Sequence, residues 1–208
     1  MLPVTTAGAI GPMRVLVLFA HPLADSFAAA LHRTVVAQLR QGGHEVDDCD
    51  LYAEGFDPVL SGAERRAYNT PSPDLSGVAE HVARLRAADA LVLCFPTWWY
   101  GMPAIMKGYF DRVWTNQVAF TLPPGGGAIR PALTNIRKFW VVTTYGSPWW
   151  LMTLVLRHPV RAVLLGGLAR LCGRGVSTRF LALANIDGAG PARCAAFLAK
   201  VDRAFTRF

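Results

Sequence analysis

The chain has 208 residues, of which 52% are hydrophobic and 17% are charged, and a chain of this length forms one sizeable domain rather than several. Its formal net charge is +7, but its Lys and Arg residues are scattered, which argues against a nucleic-acid-binding protein and favours only a weak attraction for anionic substrates. The cysteines at positions 49, 94, 172 and 194 form no C-x-x-C pair and no metal-ligand spacing, so we expect reduced thiols in a cytoplasmic protein without a bound metal.

Neither a signal peptide nor a membrane span is predicted. Residues 1–13 lack the positive start and the long apolar middle of a signal peptide, so we expect a loose tail followed by a single domain over residues 14–208. The most apolar window, residues 149–172, is interrupted by arginines, a histidine and a proline. It therefore falls short of the roughly 20 apolar residues that a transmembrane helix needs.

The first part of the domain predicts a strand, a helix and a second strand. Residues 14–20 form a short apolar run that is typical of a buried strand. Residues 27–41 carry apolar side chains at helical spacing, and the glycines at 42 and 43 are typical of a helix end. Residues 44–51 indicate a less apolar strand, and the Gly, Pro and Ser residues of 52–73 predict a long connection.

Further helices and strands alternate along the rest of the chain. We predict a helix over 75–88, a buried strand over 91–95 that ends at a proline, and a helix over 103–114. An irregular stretch over 115–137 precedes the last four elements. These are a strand over 138–145, a mainly helical segment over 149–171 with a break near Pro159, a strand over 176–183 and a helix over 191–205.

Five strands that alternate with helices predict an α/β fold with a parallel sheet, right-handed crossovers and helices on both faces. Ligands bind such sheets outside the carboxyl ends of the strands. Three turns at those ends carry unusual residues. The dinucleotide fingerprint G-x-G-x-x-G and the phosphate loop G-x-x-x-x-G-K-[ST] are both absent from the sequence, which argues against the usual dinucleotide domain and against an NTPase.

The turn after the first strand has the features of an anion site. Ser26 is a typical N-cap residue, the free N–H groups of the helix that begins at Phe27 point toward the turn, and His21 adds a donor. A phosphate could bind there. The alternative is that Ser26 only caps its own helix and His21 hydrogen-bonds within the turn.

The loop after the third strand is aromatic. It contains Pro96, Thr97, Trp98, Trp99 and Tyr100, followed by a glycine. Three large rings beside a hydroxyl favour a flat ligand, although each ring taken singly could equally pack into the core.

The turn after the fourth strand holds Thr143, Thr144, Tyr145 and Gly146. Their hydroxyl groups and exposed backbone N–H groups could hydrogen-bond the heteroatom edge of a flat ring system. The alternative is an ordinary turn glycine after threonines that favour a strand. A phosphate at the first turn and a flat ring at the other two together predict a flavin nucleotide across the edge of the sheet.

The same residues resemble the NAD(P)H:quinone oxidoreductase family. The resemblance runs from about residue 14 to residue 146, and its specific part is the segment F-P-x-x-W-[FY]-G-x-P-A-x-x-K-G that begins at Phe95. Membership would imply a flavodoxin-like three-layer fold with strand order 2-1-3-4-5. It would also imply bound FAD, with FMN as the alternative, and a homodimer with active sites at the subunit contact. The implied reaction is ping-pong hydride transfer from NAD(P)H through the flavin to a quinone.

Carried over residue by residue, the resemblance assigns to the flavin site the residues named above in all three turns. They begin with His21, Ser26 and Phe27 in the first turn and end with Gly146 in the third. As a mechanistic hypothesis, Tyr145 and His158 would donate hydrogen bonds where negative charge develops, and Tyr100, Trp149 and Trp150 would wall the substrate pocket. The alternative for His158 is a polar helix residue before Pro159. This sequence departs from the family pattern at Tyr145, where a second glycine is common, and His158 is shifted relative to the family histidine.

Other functions remain open at this stage. A flavin-binding electron carrier, or an ancillary regulatory subunit of an ion-efflux system, would use the same fold. A nitro- or azoreductase would differ from a quinone reductase only in its acceptor. A serine hydrolase is disfavoured because the G-x-S-x-G elbow is absent and no histidine follows Asp187.

Overall fold

The computed structural model describes residues 11–123, 125 and 127–208. Most of the predicted tail, residues 1–13, therefore lies outside the described residues. Met13 is buried, and its N–H donates to Nδ1 of His44 at 3.2 Å. No helix of the described ranges combines the length and apolarity that a membrane crossing needs.

A five-stranded parallel sheet forms the centre of the molecule. In chain order its strands are β1 (Arg14–Phe19), β2 (Glu45–Asp50), β3 (Ala90–Thr97), β6 (Lys138–Tyr145) and β7 (Ser177–Ala184). Two short strands outside this sheet, β4 (Phe120–Thr121) and β5 (Arg130–Pro131), pair with each other in antiparallel orientation. The order β2-β1-β3-β6-β7 is the predicted 2-1-3-4-5 arrangement, which confirms the flavodoxin-like topology.

Helices cover both faces of the sheet. The covering helices are α1 (Phe27–Gln41), α3 (Ala79–Ala87), α4 (Ala104–Val113), α5 (Pro159–Arg161) and α6 (Pro191–Phe205). Helix α2 (Gly62–Ala67) lies in the connection after β2 and has no buried residue. One buried apolar cluster joins α1 and α6 to alternate residues of the strands, and a second joins α3, α4 and the helical segment after β6 to the opposite face. This is the predicted three-layer arrangement.

The region after β6 differs from the predicted helix. It contains π-helical turns at Leu151–Val155 and Ala162–Gly167, the short α5 between them, and a 3-10 helix at Leu168–Cys172. The predicted break near Pro159 is present, because Arg157 and His158 adopt φ values of 52° and 51°. The apolar spacing identified a helical segment but not its type, since short π and 3-10 turns interrupt the 3.6-residue period.

The predicted strand end at Pro96 is also wrong, because β3 continues to Thr97. Its pairing with β1 ends at Cys94, whereas its pairing with β6 continues through Pro96 and Thr97. Pro96 therefore lies where β3 has a neighbour on one side only, and a missing N–H is tolerated there.

The connection after β2 contains structure that we did not predict. Ser61 caps α2 through a reciprocal pair of hydrogen bonds with Glu64, in which each side chain accepts from the other residue's N–H. The connection also packs against α4, where Gly108 is so close to Pro58 that a Cβ at Gly108 would collide with the proline backbone.

Candidate functional site

The three predicted turns lie together at the carboxyl edge of the sheet. Thr97 at the end of β3 is paired in register with Tyr145 at the end of β6. The ring of His21, which follows β1, lies 5.8 Å from the ring of Trp98, measured between centroids. The turns after β1, β3 and β6 therefore form one continuous rim.

The aromatic loop after β3 is a tight reverse turn. The N–H of Trp98 donates to the carbonyl of Gly101 at 3.1 Å, and the N–H of Gly101 donates back to Trp98 at 2.9 Å. Trp99 and Tyr100, the two central residues, have φ values of 49° and 62°, which is the left-handed pattern of a type I′ turn. Bulky residues in this conformation cost on the order of 1–3 kcal/mol each, and such strain occurs preferentially at functional sites.

Two clefts adjoin at this rim. The first has a volume of about 350 Å³ and lies between the aromatic turn and the end of β6; its walls are formed by Thr97, Trp99, Tyr100, Tyr145, Gly146 and Ser147. The second, of about 260 Å³, shares Thr97, Trp99, Tyr145 and Gly146 with the first. It adds Pro96, Trp98 and Thr144 from the predicted set, together with Ile186 and Asp187.

Hydroxyl groups lie at the base of the clefts. Thr97 Oγ1 and Thr143 Oγ1 are 2.9 Å apart and buried, so each hydroxyl has a partner. Thr144 is also buried. Burial raises the pKa of Tyr145 above its ordinary value, so its phenol stays protonated near neutral pH and can donate a hydrogen bond.

The turn after β1 shows both local contacts that we considered as alternatives. Ser26 caps α1, because its Oγ accepts from the N–H of Ala29 at 3.1 Å, and His21 Nδ1 accepts from the N–H of Leu23 at 3.0 Å. These contacts do not use the N–H groups of Phe27 and Ala28, which lack intrahelical partners as in every first helical turn. The first turn contains no acidic residue, so the positive end of the helix dipole is not neutralised within it.

Seven predicted site residues do not belong to the walls of the two clefts. Four of them lie at the turn after β1, at the start of α1 or within β6, namely His21, Ser26, Phe27 and Thr143; the other three follow β6. Trp149 and Trp150 are 61% and 53% exposed and do not belong to the cleft walls of the described chain. His158 Nε2 lies 3.0 Å from Thr153 Oγ1 and likewise stands outside those walls. A separate apolar groove of about 260 Å³ joins Tyr100 to Pro159, the residue that follows His158.

Sequence reasoning missed the contribution of the turn after β7. Asp187 belongs to the second cleft, and its carboxylate approaches Gly146 so closely that a Cβ on the glycine would collide with it. The signal was available in the predicted strand order, because the last strand is the neighbour of the strand that ends at Tyr145. Its carboxyl end therefore had to reach the same rim.

Comparisons with known proteins agree with this architecture. A family model described as a flavodoxin-like fold matches residues 13–204. The chain is 38% identical over 121 residues to the ribosyldihydronicotinamide dehydrogenase-like protein traD of Penicillium crustosum, a match that covers 50% of this chain and 44% of that protein. It is 37% identical over 124 residues to NAD(P)H dehydrogenase [quinone] 1 of Cavia porcellus, covering 52% and 45% respectively. The matches thus span about half the length of these curated relatives.

Solved structures match over nearly the whole chain. Smu.1420 from Streptococcus mutans UA159 is 30% identical with a TM-score of 0.79, and the match covers 94% of this chain and all of that one. An NAD(P)H:quinone oxidoreductase from Methanothermobacter marburgensis is 29% identical with a TM-score of 0.79, covering 94% and 96% respectively. The resemblance that the sequence motifs indicated is therefore confirmed.

Proposed function

The chain belongs to the flavodoxin-like family, and from this premise we propose that it is a flavin-dependent NAD(P)H oxidoreductase that reduces a quinone-like acceptor. The turns after β3 and β6 line two adjoining clefts, and the ring of His21 in the turn after β1 lies 5.8 Å from the ring of Trp98 in one cleft wall; this arrangement carries the proposal. The likeness to the Methanothermobacter marburgensis enzyme over 94% of the chain supports it.

The residues at the rim fit a flavin nucleotide, either FAD or FMN. The adjoining clefts have about the size of a small-molecule site, and their walls combine aromatic rings with a few polar groups. A Cβ at Gly146 would collide with the Asp187 carboxylate, so this position of the rim accommodates only a glycine and its backbone stays uncovered. We propose that the ring system lies against the 96–100 loop and the 143–146 turn. The phosphate would then lie at the N-terminus of α1, near His21 and Ser26.

The protein's part in the reaction is to position the ring system and to stabilise the charge that develops on it. A bound flavin would supply the hydride chemistry, from NAD(P)H to the acceptor by a ping-pong sequence. Thr143, Thr144 and the Gly146 backbone would fix one edge of the ring system. The phenol of Tyr145, whose pKa burial raises further above neutrality, would donate a hydrogen bond where negative charge develops.

The acceptor side of the site is proposed at Tyr100, Trp149 and Trp150, with His158 as a second hydrogen-bond donor. Trp149 and Trp150 begin a segment whose apolar side chains Leu154, Val155 and Val163 are also more than half exposed. A row of exposed apolar residues of this kind is typical of an interface, which supports the proposed homodimer with the site at the subunit contact. All four cysteines are free thiols, which supports a cytoplasmic location.

The decisive experiment has two steps. An absorption spectrum of the purified protein should show the visible bands of a flavin, and the mass of the released chromophore should distinguish FAD from FMN. NADH and NADPH oxidation should then be measured with and without menadione. With menadione, an enzyme should oxidise many equivalents of NADH or NADPH per protein molecule. An electron carrier or an ancillary subunit should oxidise almost none. A colourless protein that binds neither FAD nor FMN would refute the proposal.

The choice of acceptor needs a separate comparison. A quinone reductase should show a higher kcat/KM with menadione than with a nitroaromatic or azo dye under the same conditions. The reverse order would identify a nitro- or azoreductase.

A further inference from the structure

A cluster of three metal-binding side chains lies away from the clefts, between β2 and α3. Cys49 belongs to β2, Glu54 to the turn that follows it, and His81 to α3. One ligand atom of each residue lies within 4.8 Å of the other two. Cys49 is fully buried, while the Glu54 side chain is 32% exposed, so the cluster can be reached from solvent through the carboxylate.

The spacing of the three ligand atoms suits a tetrahedral zinc ion. With Zn–S bonds of about 2.3 Å and Zn–N or Zn–O bonds of about 2.0 Å, tetrahedral ligand atoms lie roughly 3.5 Å apart. Cys49 Sγ is 3.4 Å from Glu54 Oε2 and 3.9 Å from His81 Nδ1. Small rotations of the side chains would therefore be enough to close the ligands on an ion.

The charges around the cluster also favour a cation. Arg84 is the shared partner of Asp47 and Glu54, with N···O distances of 2.7 Å to each carboxylate. Two carboxylates face one guanidinium, so the group carries a net charge of about −1 while Cys49 is a neutral thiol. A divalent ion bound to the Cys49 thiolate would bring the sum to zero.

Binding at Cys49 would need the thiolate, so the thiol would lose its proton to solvent when the metal–sulfur bond forms.

Tyr109 supplies an independent sign of a missing partner. Its side chain is fully buried, and its hydroxyl has no hydrogen-bond partner within the described ranges. Its ring packs edge-on against His81 with 5.6 Å between centroids. A buried hydroxyl without a partner is costly, and a metal-bound water would provide one.

We propose that Cys49, Glu54 and His81 form a zinc site whose fourth position holds a water molecule hydrogen-bonded to Tyr109. The mixed S, N and O ligand set is the kind that zinc accepts. Such an ion would fix the turn after β2 to α3, a region that has no part in the proposed flavin chemistry. Sequence spacing did not reveal it, because the ligands come from three separate elements.

The test uses the full-length protein, freed of metal and titrated with Co²⁺ as a spectroscopic probe. We expect saturation at one equivalent with a thiolate-to-cobalt absorption band in the near ultraviolet, and displacement by Zn²⁺. Cys49→Ser should abolish the band, His81→Ala should weaken binding by at least about tenfold, and Tyr109→Phe should weaken it by about 10–100-fold. Cys194→Ser, which removes a partly exposed thiol on α6, is the matched control and should keep the band unchanged.

Three results would overturn the proposal: no saturable Co²⁺ binding, a band that survives Cys49→Ser, or a His81→Ala affinity equal to that of the unmodified protein. Circular dichroism and urea unfolding establish whether each variant is folded. If Cys49→Ser does not fold, His81→Ala decides, because that side chain is only half-buried. Loss of flavin leaves this test unaffected, so its failure is distinguishable from failure of the proposed function.

Discussion

Replacing Ser26 with aspartate should expel the flavin phosphate without unfolding α1. Aspartate is as good an N-cap residue as serine, so the helix keeps its hydrogen bond to the Ala29 N–H. The substitution adds one negative charge at the helix end where we place the phosphate. Ser26→Asn is the matched control, because asparagine also caps helices but carries no charge.

The size of the effect follows from Coulomb's law. One helical turn rises about 5.4 Å, which sets the scale of the separation between the cap carboxylate and an anion bound at the first turn. Two unit charges at that distance repel by about 3 kcal/mol at an effective dielectric constant of 20, and by about 0.8 kcal/mol in bulk water. Ser26 is half-buried, so we expect about 1–3 kcal/mol, or about a 5–150-fold increase in the flavin Kd.

The assay is a titration of flavin-free protein, followed by the quenching of flavin fluorescence. Ser26→Asp should show the raised Kd, and added salt should partly restore binding because it screens the repulsion. Ser26→Asn should bind within a few-fold of the unmodified protein. Equal Kd values for the two variants would refute the phosphate assignment, provided that urea unfolding shows α1 to be intact in both variants.

Three further predictions concern the hydroxyl pair at the rim, the packing of α4 against the long connection, and the chemistry of Tyr145. Thr97→Val should lower the free energy of unfolding by about 1–3 kcal/mol, because the buried Thr143 hydroxyl loses its closer partner and keeps only the Thr144 carbonyl at 3.4 Å. Thr97→Ser should cost only about 1 kcal/mol, and urea unfolding measures both. Gly108→Ala should destabilise the protein by about 1–3 kcal/mol, because the new Cβ collides with the backbone of the long connection. The control is Gly166→Ala, where nothing lies within 4 Å of the new Cβ, and it should change the thermal midpoint little. Equal losses of stability in the two variants would contradict this packing argument. Tyr145→Phe should keep its flavin but lose about 10²–10³-fold in kcat for quinone reduction, and an unchanged kcat would remove the phenol from the mechanism.

Sequence patterns predicted the regular elements where local signals are strong. Helix α1 begins at Phe27 and ends at Gln41 as predicted, because a serine cap precedes it and two glycines follow it. The bounds of α6 and β6 were also predicted, the first from its initial proline and the second from its apolar run. The capping box at Ser61 and Glu64 was a comparable signal for α2, but it stood inside a segment that is rich in turn residues and went unnoticed.

Features that depend on contacts between distant segments were harder to predict. The continuation of β3 through Pro96 depends on the loss of pairing with β1, which no local pattern encodes. Asp187 reaches the rim only because β7 lies next to β6. The roles of Trp149, Trp150 and His158 stay predictions, since spacing along the chain does not determine what these exposed or peripheral side chains contact.

The reverse turn at Trp99 and Tyr100 allows the side chains of the rim to change without affecting the stability of the core. Paired backbone hydrogen bonds between Trp98 and Gly101 hold its shape, and the Trp99 side chain is 95% exposed. Other side chains can therefore occupy the tip without any rearrangement of the sheet beneath it. Glycine or asparagine there would even relieve backbone strain. In the proposed flavin site, substitutions at this tip would therefore change the walls of the clefts while the sheet beneath them stays the same.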